Sequence, residues 1–112
     1  MKCKNILGIK ICKLSSSEVI QLPANVSTKV PITIYTSKNC TLCKSLISNQ
    51  LKQFKSIKDI INPRIVNVDS EENIPSEILS LPNIQVGSQI LGVQPTDKEI
   101  VRSIQKYYSF KE

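Results

Sequence analysis

The chain reads as an α/β protein: a central mixed β-sheet flanked by helices on both faces. Three observations carry that reading. Residues 32–46 (ITIYTSKNCTLCKSL) switch from strand-like to helical apolar spacing around a Cys-x-x-Cys pair. A second strand-like run, Arg64–Asp69, returns after that helix, giving a strand–helix–strand unit and hence a parallel, right-handed crossover. Two short strands about Gly87-Ser88 then precede a capped final helix.

At 112 residues the chain can bury one substantial core. Apolar content of 40% and charged content of 21% are those of a soluble globular domain. No apolar run approaches the ~18 residues of a membrane span, which excludes a helical membrane protein. The start, MKCKNILGIKIC, resembles a signal peptide, but Lys10 breaks the apolar run and no small-residue cleavage site follows, so the expectation is a cytoplasmic chain. A net charge of +6 raises nucleic acid as a partner. The lysines are spread over solvent-facing positions with few aromatics to stack bases, so a solvated surface is the better reading.

Taken in order, Asn5–Leu14 alternates loosely and reads as a strand with a bend at Gly8. Ser15–Glu18 offers helix caps before Val19, Ile20 and Leu22, so a short helix bounded by Pro23 is expected. Residues 1–30 then form an extension packed on a domain of residues 31–112. Pro31 opens the strand through Tyr35, where β-branched residues dominate. The helix from Thr41 to about Lys55 or Ile57 is expected to bury Leu42, Cys43, Leu46, Ile47, Leu51 and Phe54. Pro63 ends the connection before Arg64–Asp69. Pro75 begins a short helix that Pro82 must end. Asn83–Val86 and Gln89–Leu91 make the hairpin, and Thr96-Asp97-Lys98-Glu99 is a capping box for a helix burying Ile100, Val101, Ile104 and Tyr107 or Tyr108.

The chemistry concentrates at Cys40 and Cys43. A helix start exposes unpaired N–H groups and carries about half a positive charge, which favours thiolate over thiol. Cysteines in such places have pKa values of about 3.5–7.5, and thiolate is the nucleophile. Cys43, one turn deeper, is placed to resolve a mixed disulfide on Cys40, while Lys38 adds positive charge. Cys3 and Cys12 are the remaining pair. The default for Cys12 is a small buried apolar group, and a second disulfide with Cys3 is the alternative. Four cysteines also admit a zinc site, but the chain has no histidine and Cys3 and Cys12 are not a tight knuckle.

With these residues in view, residues 31–108, about two-thirds of the chain, resemble a glutaredoxin or small thioredoxin-like protein. The pieces are ITIYTSKNC, CTLC and LPNIQVGSQILG. The resemblance implies a thioredoxin-like fold and a cis Pro82 facing the cysteines. It also implies a Leu81 backbone that pairs with extended substrate. The implied activity is thiol–disulfide exchange on disulfide-containing proteins or small thiols, without a bound cofactor or metal, in a monomer recharged by glutathione or a thioredoxin-reductase-type donor. The chain departs from the pattern in four places. Thr41-Leu42 replaces the Pro-Tyr of glutaredoxins and the Gly-Pro of thioredoxins. Lys38 stands one residue nearer the first cysteine than the glutaredoxin lysine does. Gly92-Val93 stands where glutaredoxins carry Gly-Gly beside glutathione, and Ile34 falls where thioredoxins bury an acid. A zinc-binding or non-catalytic protein-interaction module of the same fold is the alternative.

Overall fold

A computed structural model describes residues 3–14, 18–23, 28–70, 73–78 and 80–111. Strands β1 (Cys3–Ile6) and β2 (Ile9–Lys13) pair antiparallel about Leu7-Gly8, so the chain reverses where a bend within one strand was expected. Both turn residues have positive φ, 52° and 80°, the geometry of a two-residue hairpin that follows the strand twist. The register sets Cys3 opposite Cys12, and the two are disulfide-bonded. Strand β3 (Val19–Pro23) pairs antiparallel with β2, where a short helix was expected. Ile20 and Leu22 are buried while Val19, Gln21 and Pro23 are exposed, a period of two that only a strand satisfies. The expected cap residues Ser15–Ser17 lie outside the described residues.

The second sheet contains β4 (Val30–Thr36), β5 (Ile61–Asn67), β6 (Asn83–Val86) and β7 (Gln89–Gly92), in the order β5-β4-β6-β7. Strand β4 is parallel to β5 and antiparallel to β6, so the sheet is mixed, as expected. Helix α1 (Cys43–Phe54), extended by a 3-10 turn at Lys55–Ile57, connects β4 to β5. Strand β5 starts at Ile61 and runs through Pro63, which was expected to precede it. As an edge strand it tolerates the missing N–H.

Helix α2 (Asp97–Lys111) is capped as the sequence predicts. The Thr96 N–H donates to Glu99 Oε1 (2.9 Å) and the Glu99 N–H to Thr96 Oγ1 (3.2 Å). Ile100, Ile104 and Tyr108 are buried, whereas Val101 and Tyr107 are half-buried. Tyr107 lies against the β6–β7 turn, where a Cβ on Gly87 (φ +59°) would come within 2.7 Å of its Cδ1. Only glycine fits there. Tyr108 donates to the carbonyls of Thr28 (2.7 Å) and Ile60 (3.2 Å), and burial pushes its pKa up to about 12.

Both helices feed one core rather than covering opposite faces. Ile32, Ile34, Ile84 and Val86 share one face of the sheet and are buried with Ile47 and Phe54 of α1 and Ile100 and Ile104 of α2. The other face carries Thr33, Asn62, Arg64 and Gln85, which are not buried, and Tyr35 and Val66, which are; Tyr35 donates to Gln85 Oε1 at 2.7 Å. A short helix was expected from Pro75. Residues 73–78 form only a turn, and Leu79 lies outside the described residues. The N-terminal sheet joins the same core through Cys12, Leu14, Ile20 and Leu22. Gln105 of α2 fastens it by bonding both the N–H (2.7 Å) and the carbonyl (3.1 Å) of Gln21. Among the described residues no helix is long and apolar enough to cross a membrane.

Candidate active site

Two parallel strands that end together bring their following loops side by side. The loop after β4 is therefore held by the loop after β5. Ser37 Oγ and the Lys38 N–H both donate to Asp69 Oδ2 (2.8 and 3.0 Å), and Val68 N–H donates to the Thr36 carbonyl (2.9 Å). Asn39 N–H donates to Ser37 Oγ and Cys40 N–H to the Ser37 carbonyl, both at 3.2 Å, so the turn that delivers Cys40 is fixed residue by residue. Asp69 was not singled out in the sequence. Its position one residue past strand-like V-N-V, level with the cysteine loop of a parallel neighbour, is the signal that could have found it.

The Ser37 and Lys38 hydrogen bonds hold the Asp69 carboxyl below its ordinary value of 3.8. A carboxyl whose pKa falls on folding stabilises the fold above the unfolded value, and that contribution is lost as pH falls through the lower folded value. An NMR titration is expected to give Asp69 a midpoint below 3.8. The stability gap between wild type and Asp69→Asn should narrow as the medium is acidified through that range. A midpoint at or above the free value contradicts the anchoring role.

Cys40 and Cys43 are disulfide-bonded, with 5.4 Å between their Cα atoms. Cys43 is the first residue of α1 and only 2% exposed, while Cys40 is half-buried at the surface. Leu42, in the N-cap position, supplies no side-chain cap, and no acidic residue occupies the first turn. The positive end of the helix is thus left to the sulfurs. Cys40 Sγ lies 3.8 Å from the Leu81 carbonyl oxygen. The Leu81–Pro82 peptide is cis, as the resemblance implied, and Pro82 is buried.

The structure therefore brings Cys40, Cys43, Leu81 and Pro82 together. Thr41 and Leu42 sit exposed on the rim, Leu42 by 69%. Lys38 is exposed, and its N–H is bonded to Asp69 Oδ2. Cys12, expected by default as a free buried thiol, is bonded to Cys3 instead. That pair belongs to the N-terminal sheet, whose Leu14 carbonyl accepts from Ser56 beyond the far end of α1, a 12-residue helix about 18 Å long. The four sulfurs do not converge, and among the described residues no cluster of three or more His, Cys, Asp or Glu could hold a metal ion.

One groove of about 760 Å³ opens beside Cys40 and runs along α1. Its walls include Lys38, Lys44, Lys52 and Lys55, with Ile47 and Leu51 between them. From the sequence Lys44, Lys52 and Lys55 were legible only as solvent-facing positions. Comparison of the chain with protein-family models, curated proteins and solved structures gives no match.

Proposed function

We propose that this chain is a thiol–disulfide oxidoreductase of thioredoxin-like fold, working through Cys40 and Cys43. The supporting observation is the bonded pair at an uncapped helix start, with one sulfur at the surface and the other shielded. In the reduced protein the Cys40 thiolate attacks a disulfide R–S–S–R′, forming Cys40–S–S–R and expelling R′–S⁻, which takes a proton from water. Cys43 then gives up its proton and attacks the Cys40 sulfur, releasing R–S⁻. The substrate gains two electrons and two protons, and the Cys40–Cys43 bond holds the oxidised equivalent. A thiol reductant, either glutathione or a dithiol reductase, reverses the bond.

The geometry supports this division of roles. Buried Cys43 meets a bulky disulfide only through Cys40, so it resolves rather than attacks. The Leu81 backbone beside Cys40 offers an extended substrate a strand-like partner. Incubation with insulin or a small neutral disulfide and a thiol reductant should give catalytic turnover. A rate equal to that of reductant alone contradicts the proposal.

A further inference from the structure

We infer that the groove along α1 binds an acidic, extended polypeptide segment flanking the disulfide to be exchanged. The inference rests on the oxidoreductase reading above and names its substrate class. Among the described residues, four lysines and no acidic side chain line the groove, which begins at the reactive sulfur. Lys44, Ser48 and Lys52 follow at steps of four, and Ile47, Leu51 and Lys55 do the same in an adjacent row, so the two rows form one stripe. Asp69 of the facing loop stands at the Lys38 end, where it is engaged by Ser37 and the Lys38 N–H. Among the described residues, Lys44, Lys52 and Lys55 have no acidic side chain beside them in the groove walls.

Helix stability alone does not account for this stripe. Lys52 in the last turn suits the negative end of the helix, but Lys44 stands in the first turn, where a cation is unfavourable. An anion laid along the groove offsets that cost. The floor is aliphatic, with Leu51 41% exposed, and the walls carry no aromatic ring on which a base could stack. Charge, an apolar floor and the absence of stacking surfaces favour an acidic peptide over nucleic acid. From Lys44 to Lys55 the helix rises about 16 Å, the span of roughly five extended residues. Carboxylates within about five residues of the substrate cysteine would therefore meet these lysines.

The test compares two cystine peptides of one scaffold, carrying either Glu or Gln at the second to fifth positions from the bridging cysteine. The reduced protein is expected to react about tenfold faster with the Glu peptide at low salt, an advantage that shrinks as salt rises. The Lys44→Gln/Lys52→Gln/Lys55→Gln variant should lose the preference, and Lys4→Gln/Lys13→Gln/Lys98→Gln, with the same charge change elsewhere, should keep it. Equal rates for the two peptides overturn the inference, as does an equal loss in both variants. If neither peptide nor a small neutral disulfide reacts, the oxidoreductase reading fails. The groove is then judged by fluorescence anisotropy of a labelled, cysteine-free Glu peptide against a single-stranded oligonucleotide. Tighter binding of the peptide, lost in the groove variant, supports the inference; tighter binding of the oligonucleotide overturns it.

Discussion

Cys40→Ser should lower disulfide-reductase turnover by at least about a thousandfold, because a serine hydroxyl at neutral pH is a poor nucleophile without a base to activate it. Among the described residues the site offers none: the chain has no histidine, and the nearby Asp69 carboxylate is already taken up by Ser37 and the Lys38 N–H. Cys43→Ser is expected to differ in kind. Cys40 can still attack, but nothing resolves the product, so the protein should accumulate as a mixed disulfide with one substrate thiol. Mass spectrometry would read this as a single adduct on Cys40. Turnover by Cys40→Ser within a few-fold of wild type, or an adduct on Cys43 instead, contradicts the assignment of roles.

Phe54→Ala carries the largest expected stability effect, a loss of about 3–5 kcal/mol. Phe54 is the largest fully enclosed side chain, 2% exposed at the last residue of α1, in the cluster that joins both sheets. Emptying that position leaves a cavity between elements anchored elsewhere, by Gln105 on Gln21 and by Tyr108 on Thr28 and Ile60, so the site cannot simply collapse. Domains of this size are stable by only about 5–15 kcal/mol, so the variant should be close to unfolding at room temperature. Urea denaturation should show a large drop in midpoint. A loss under about 1 kcal/mol would mean that the ring is not part of the core described here.

The strands and caps were legible where a short-range rule had no competitor. The parallel return after α1, the hairpin about Gly87-Ser88 and the Thr96–Glu99 box all rest on local pattern, and each is present. The phase of α1 was read less well. The apolar residues suggested Leu42 and Leu51 as buried, yet they are exposed, and the inward stripe is Cys43, Ile47, Gln50 and Phe54. The bond to Cys40 and the helix start at Cys43 turn residue 43 inward, and the stripe then follows at steps of four, three and four. Gln50 enters the core because its Nε2 reaches the Val93 carbonyl at 2.7 Å, a partner 43 residues along the chain that no local rule reveals.

The N-terminal region shows the opposite limit. Ser-rich caps ahead of Val-Ile-Gln-Leu satisfied the rule for a helix start, but strand β2 offered an unpaired edge, and pairing with it outweighed the local cap signal. Of the site itself, the cysteines were readable because their spacing is chemical, and Pro82 only through the family resemblance. Asp69 and the lysine groove depend on which loops and faces the fold sets side by side, so they became visible only in three dimensions.

The proposed function requires Cys40 to be an accessible, easily ionised thiol at an uncapped helix end. The most direct measurement is the rate of iodoacetamide alkylation of the reduced protein across a pH series, with the modified residue located by peptide mapping. Cys40 should react first, with a midpoint below about 7.5, while Cys43 lags. A midpoint near the 8.5 of free cysteine, or equal labelling of Cys43, would contradict it.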